Sequence, residues 1–191
     1  HASVDRTDMC TAFLFSIDLV LTHEVCIRMG GGSPDYSKAV IHFGLLDATG
    51  EGAQIFNVEL TPVEVNEDNG YAILRVEGSP GNIWGQVRLA RGENALANQK
   101  GLLIHTPGGA ALRYALEGCS FAVRRTEKLI SHSCETAPGS TGAPLFDFQS
   151  GQVVGLHAIG LQPYEAAGER KAIPISEIAR VSPTLKELMN N

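Results

Sequence analysis

Short apolar runs punctuated by turn residues recur along the whole chain. Ala12 to Phe15, Leu19 to Leu21, Ala39 to Phe43, Gln54 to Leu60 and Tyr71 to Val76 are rich in β-branched, aromatic and other apolar residues. Most are bounded by Gly, Asp, Asn or Pro, a pattern that predicts strands joined by tight turns. The turn cluster Glu77-Gly-Ser-Pro-Gly81 interrupts the series. A second set follows: Gln86 to Leu89, Gly101 to His105, Leu112 to Leu116, Ser120 to Arg124, Lys128 to His132, Ala143 to Phe146 and Val153 to Ile159. Helical periodicity is confined to the C-terminus. There Ser176-Glu-Ile-Ala-Arg180 precedes Ser182-Pro183, an N-cap serine with proline at the first helical position. Leu185, Leu188 and Met189 recur at helical spacing beyond it. Many evenly spaced strands with one terminal helix predict barrels or a sandwich.

Composition narrows the functional classes. The chain has 191 residues, enough for real hydrophobic cores, and its 21 glycines are spread along it rather than arrayed in repeats. A net charge of −6, with no basic cluster longer than Arg124-Arg125, argues against a nucleic-acid or anionic-membrane surface. No apolar stretch reaches the roughly 18 residues that span a bilayer. Cys10, Cys26, Cys119 and Cys134 permit two disulfides or four buried thiols, and composition alone leaves both readings open. No Cys-x-x-Cys pair exists. His23, His42, His105, His132 and His157 never fall at metal-motif spacing, and His23-Glu24 lacks the second histidine of a helical zinc motif. No metal or other cofactor is expected.

The most specific run is His132-Ser-Cys-Glu-Thr-Ala-Pro-Gly-Ser-Thr-Gly-Ala-Pro-Leu-Phe146, followed by Val153-Val-Gly-Leu-His157. It resembles the nucleophile loop of trypsin-like serine peptidases, written H-T-C-D-T-x-P-G-S-S-G-S-P-L-F with V-V-G-L-H in the bacterial glutamyl-endopeptidase branch. Three further stretches are similar to the same family. Leu19-Val-Leu-Thr22 between Cys10 and Cys26 resembles the strand leading to L-T-A-A-H-C. Tyr71-Ala-Ile-Leu-Arg-Val-Glu-Gly-Ser-Pro-Gly81 resembles D-Y-A-L-L-x-L-x-G-x-P-G. Leu102-Leu-Ile-His-Thr-Pro-Gly-Gly109 resembles I-I-x-H-P-x-G. Ala172-Ile-Pro-Ile-Ser176 also fits that branch. The resemblance implies an all-β chain of two six-stranded-type antiparallel β-barrels with the chymotrypsin/trypsin-like fold and a C-terminal helix. Residues 1–80 would form the first barrel, 81–95 a linker, 96–175 the second barrel with the nucleophile loop, and 176–191 the helix, all in one structural unit. The resemblance also implies a Cys10–Cys26 bridge. Cys119 and Cys134 fall on neighbouring strands and could pair too, and two bridges would indicate an extracytoplasmic, oxidising compartment.

In this family a serine attacks, a histidine takes its proton and an aspartate orients the histidine. Carried over position by position, all three roles are lost or displaced. Thr141 occupies the nucleophile position. Its extra methyl restricts χ1 and crowds the approach of a scissile carbonyl. Ser140, one residue earlier, should point elsewhere. Val25 occupies the base position, with Glu24 or His23 there only if the chain shifts by one or two residues. Gly70 occupies the aspartate position. Asp68 and Glu67 lie nearby, and Asp68 reads better as a turn residue before Asn69-Gly70.

Other parts of the site are retained. The N–H groups of Gly139 and Thr141 would form an oxyanion hole. Thr136 and His157 match the hydroxyl and imidazole that line the primary specificity pocket for Glu or Gln, since both donate to a carboxylate or amide oxygen. The resulting expectation is a pseudoprotease that binds a protein or peptide in the inter-barrel cleft. The alternatives are an atypical peptidase using Thr141 with His23 as displaced base, and a structural domain of a larger assembly.

Overall fold

The short apolar runs are realised as an all-β fold with three short α-helices among the described residues. The computed structural model describes residues 9–27, 39–59, 61–92, 99–122, 129–158 and 170–190. The first set of strands is β1 (Phe13–Leu14), β2 (Leu19–His23), β3 (Val40–Phe43), β4 (Gln54–Asn57), β5 (Glu64–Asn66) and β6 (Tyr71–Arg75). A single helical turn, α1 (Gly81–Trp84), follows. The second set is β7 (Gly101–His105), β8 (Arg113–Ala115), β9 (Phe121–Ala122), β10 (Ile130–His132), β11 (Pro144–Asp147), β12 (Val153–His157) and β13 (Arg170–Pro174). Helices α2 (Ile175–Val181) and α3 (Pro183–Asn190) close the chain.

Antiparallel pairing in the order β1-β2-β6-β5 makes the first sheet, with the β3–β4 hairpin laid against it. Ile41, Phe43 and Phe56 of the hairpin pack on Leu14, Val20, Val58, Leu74 and Val76. The second sheet runs β8-β7-β11-β12-β13-β10-β9, with a register shift between Leu145 and Phe146 that bends β11. Leu103, Phe121, Ile130, Leu145 and Val154 fill its interior. A third cluster joins the two sheets to the helices. It contains Phe13, Leu21, Tyr71 and Ile73 from the first sheet and Val153, Leu156 and Ile173 from the second. Ile175, Ile178 and Leu185 complete it.

Disulfides link Cys10 to Cys26 and Cys119 to Cys134, which resolves the choice that composition left open. Among the described residues, no helix is long and apolar enough to cross a membrane.

Several expected elements differ in detail. The terminal helix is two helices, because Ser182 is extended and caps the second: its Oγ accepts the Leu185 N–H at 3.1 Å. Leu185 is fully buried, but Leu188 is 41% exposed and does not belong to the apolar face. Gln86 to Leu89 does not form a strand, and only Leu89 bridges, to Val153. β5 and β13 were not among the expected strands. Leu60, Val123, Arg124, Arg125, Lys128 and Ile159, where expected strands or the basic pair fall, lie outside the described residues.

Candidate active site

β2 is buried along its whole length and ends in a 3₁₀ turn, Glu24–Ile27, tied back to Cys10 through Cys26. β6 runs antiparallel beside it with Tyr71 opposite His23. The turn into β6 is held by Asn66, whose Oδ1 accepts the Asn69 N–H at 3.0 Å, and Asp68 is exposed on that turn. Gly70 follows with φ +67°, a left-handed conformation suited to glycine. The His23 ring lies over it: a Cβ on Gly70 would stand 3.1 Å from His23 Nε2 and 2.9 Å from Ile173 Cδ1. The Val25 N–H donates to His23 Nδ1 at 3.2 Å. His23 is therefore a neutral imidazole whose Nδ1 lone pair is engaged and whose remaining nitrogen faces Gly70. Burial lowers its pKa to about 4. Val25 itself is half-buried on the 3₁₀ turn.

The loop from Ala137 to Ala143 brings the second group of residues. Ser140 is buried and makes three contacts through Oγ: the Ala137 N–H at 2.9 Å, the Ala137 carbonyl at 2.6 Å and His105 Nδ1 at 2.6 Å. A hydroxyl has one proton. The Ala137 carbonyl can only accept, so it takes that proton, and His105 must donate its own Nδ1–H to Ser140. Ser140 is thus a brace for the loop, and its side chain points into the protein as expected.

Around that brace the amides alternate. The N–H groups of Ser140, Gly142 and Ala143 donate to the carbonyls of Ala137, His157 and Ser140. Those of Gly139 and Thr141 have no hydrogen-bond partner among the described residues, nor does the Thr141 hydroxyl. Gly139 has φ +95°, and a Cβ there would stand 2.7 Å from both Gly108 N and the Thr106 carbonyl. Gly142 is as tightly placed, with the Thr11 carbonyl 2.2 Å from where its Cβ would be. The Thr11 N–H donates to the Thr141 carbonyl at 2.9 Å. These contacts press the loop against the end of β2, so Thr141, His23 and Gly70 share one region. Among the described residues, the Thr141 hydroxyl nevertheless has no bond to any base.

A third cluster lies behind the loop. Thr136 is half-buried and its Oγ1 accepts from Arg170 Nε at 2.7 Å. His157 on β12 and His132 on β10 are buried with Nδ1 of the first 3.1 Å from Nε2 of the second. The rings meet edge to face. His132 Nδ1 is buried and has no hydrogen-bond partner among the described residues. Desolvation, aided by the neighbouring His157 and Arg170, lowers His132 to about 3. Desolvation, then the charges of His105 and Arg170, lowers His157 to about 4. His105 is lowered by burial against the opposing pull of Glu135. Each of these imidazoles is neutral at pH 7. Among the described residues, no group of three or more His, Cys, Asp or Glu side chains is placed to hold a metal ion.

Sequence reasoning assigned Thr136, Gly139, Thr141 and His157 to one site; in the structure Thr136 bonds Arg170, and the His157 backbone pairs with Gly142 and Ala143 beside Thr141. It singled out neither Arg170, His105 and His132 as site neighbours nor Thr11 as the brace of the loop. His132 opened the most specific motif, a signal that could have found it. Arg170 opens β13, two residues before the Ala172-Ile-Pro-Ile-Ser176 stretch and outside it.

A family profile described as a trypsin-like peptidase domain matches residues 10–156. Among curated proteins, none matches the chain in sequence. Solved structures share the fold at low identity. The active form of the Rv3671c protease from M. tuberculosis is 20% identical, covering 90% of this chain and 70% of that one, with a TM-score of 0.67. The serine endoprotease from Yersinia pestis is 13% identical over 95% of this chain and 58% of that one, with a TM-score of 0.68. The HtrA-type protease AlgW, solved with a decapeptide, is 15% identical over 94% of this chain and 52% of that one, with a TM-score of 0.69.

Proposed function

Since the chain belongs to the trypsin-like peptidase family, we propose that it is a protease homologue without protease activity, a pseudoprotease that binds a protein or peptide in the inter-barrel cleft. The observation that carries this reading is the state of His23. Its Nδ1 is occupied by the Val25 N–H, its other nitrogen faces Gly70, and the Thr141 hydroxyl is bonded to neither. A threonine without a base is a weak nucleophile. Triad members act as a unit, and loss of the serine or histidine alone costs about six orders of magnitude in turnover.

Binding needs less than catalysis. The open amides of Gly139 and Thr141 are an oxyanion hole in this reading, and they suit a ligand carbonyl or carboxylate. Thr136 and His157 form the specificity pocket and receive a Glu or Gln side chain. Strand edges beside the cleft offer backbone pairing to an extended segment. The two disulfides support an extracytoplasmic setting.

The test is labelling with a fluorophosphonate probe, read by intact mass, with Thr141→Ala as control. No adduct is expected on the folded wild-type protein. A stoichiometric adduct that vanishes in Thr141→Ala would replace this reading with an atypical peptidase using Thr141 and His23.

A further inference from the structure

We infer that the gap between β1 and β3 is a docking site for an extended segment of a partner polypeptide. The segment is apolar on both faces and basic at its ends, and it closes the first barrel by pairing with both strands. This goes beyond the cleft reading and does not rest on it.

Two sheet edges stand open there. β1 ends its sheet and β3 ends its hairpin, and neither pairs with the other. The Phe15 N–H donates to the Leu19 carbonyl at 3.1 Å, so the alternation of an antiparallel ladder turns the Ala12 and Leu14 N–H groups away from β2. The Val58 N–H donates to the Ala39 carbonyl at 3.1 Å, which likewise turns the N–H groups of Val40 and His42 away from β4. The Leu14 carbonyl accepts the Val87 N–H at 2.9 Å. Those of Ala12, Leu14, Val40 and His42 have no hydrogen-bond acceptor among the described residues. Leu14 is buried, where an unpaired N–H is costly and calls for an acceptor.

The core beneath these edges is incompletely covered. Ala12, Ala39, Ile41, Phe43 and Phe56 are only partly buried around Leu14, Val20 and Leu74, whereas the cluster that fills the second sheet has no such fringe among the described residues. A cavity of about 350 Å³ opens beside β1. The stacked rings of Phe43 and Trp84 line one side of it, and Ile104, Leu112, Pro144 and Phe146 line the other. A strand seated there meets the first barrel's interior on one face and the second sheet on the other, and a strand buried on both faces is a continuous apolar run. Residues 1–8 lead into β1 and lie outside the described residues. They read His-Ala-Ser-Val-Asp-Arg-Thr-Asp, with no two successive apolar residues, so the occupant comes from a partner. Charge sets its ends. Among the described residues up to Gly81, Arg75 is the one lysine or arginine, against carboxylates at Asp18, Asp47, Glu51, Glu59 and Glu77. Asp47 and Glu51 are exposed between β3 and β4, and the Thr49 hydroxyl lowers the pKa of Asp47, which keeps its charge. Strand addition at such an edge draws affinity from backbone bonds and specificity from the side chains on either face.

The experiment pairs fluorescence anisotropy with amide hydrogen exchange followed by NMR. The probe is a dye-labelled Val-Ile-Val-Ile-Val peptide with two lysines at each end. One control peptide carries glutamates in place of the lysines, and another has proline at the central valine, which removes a backbone donor. Wild type is compared with Leu112→Lys, which puts a charge in the cavity, and His42→Pro, which removes one outward N–H from an edge where proline is tolerated. Each variant is checked for folding by thermal melt. The lysine-flanked peptide should bind wild type at least about tenfold more tightly than either control, and at least about tenfold more tightly than it binds either variant. Binding should slow exchange at the amides of Ala12, Leu14, Val40 and His42. No saturable binding, or equal binding of either control peptide, overturns the inference. So does protection confined to Gly139 and Thr141, which would put the peptide in the cleft. If those four amides are already slow in the free monomer, the chain fills the gap itself, and if they slow only as the protein dimerises, a second copy does; either result overturns a partner strand. Should His42→Pro fail to fold, Leu112→Lys and the wild-type exchange pattern decide.

Discussion

His23, His105, His132 and His157 are all buried and all held neutral, and that has a direct consequence for stability. In the unfolded chain each titrates near 6.5. In the folded chain His23 and His157 are lowered to about 4 and His132 to about 3, with desolvation the first cause each time. Between those values the unfolded state binds more protons, so stability is full above about pH 6.5 and declines as pH falls toward 4. The expected loss between pH 7 and 4 is at least about 3 kcal/mol, seen as a falling urea midpoint. His132→Gln should flatten the slope even if it lowers stability at pH 7. An unchanged midpoint over that range would contradict the neutral-imidazole assignment. At this scale a motif is what gave positions to Thr141, Val25 and Gly70 without coordinates, and their reading as replaced triad members belongs to the proposal above. Arg170 and His105 could not be placed that way, because each reaches the region from another strand and only the sheet order makes them neighbours.

Elements were legible where an apolar run was unbroken and illegible where charge masked it. Gly101–His105 was expected from its apolar run and appears with the same bounds. β13 begins with Arg170 and Lys171, half-buried charges that hide the inward pair Ala172 and Ile173. β5 is Glu-Val-Asn, with its valine facing out, and carries no apolar signal at all. What makes it a strand is a network. The Tyr71 hydroxyl donates to Glu64 Oε1, and Ser182 Oγ donates to Glu64 Oε2 at 2.8 Å. Burial first, then the Glu64 carboxylate, raises the Tyr71 pKa to about 12, so the phenol keeps its proton and remains a donor. Ser182 serves two elements at once, capping α3 while fixing β5. Ser182→Ala should therefore cost more than either bond alone, about 2 kcal/mol by chemical denaturation. Ser182→Asn, which can still cap, should recover part of it. A loss below about 0.5 kcal/mol would show that the helix junction is indifferent to the serine.

At the scale of the whole molecule, two sheets are fastened along one short segment. Cys10 is bridged to Cys26 beyond β2, and Thr11 bonds the Thr141 carbonyl, the Gly139 carbonyl at 2.8 Å and Thr106. The segment after α1 contributes again, with the Val87 N–H on Leu14 and the Ala90 N–H on Val153. The apolar cluster under these bonds draws side chains from both sheets and both C-terminal helices. Barrel architecture followed from strand spacing and resemblance. This fastening did not, since Thr11 carries no pattern of its own. The bridge spans 16 residues, a closure worth about 3 kcal/mol in the chain-entropy account, so Cys10→Ser with Cys26→Ser should lose about that much. Thr11 also gives the molecule a property that neither sheet has alone, which is cooperativity. With its hydroxyl and amide committed to the partner sheet, neither half can open without breaking bonds of the other. Scanning calorimetry should record one transition whose calorimetric and van't Hoff enthalpies agree. In Thr11→Gly the single peak should broaden, the fused pair beginning to melt as two bodies.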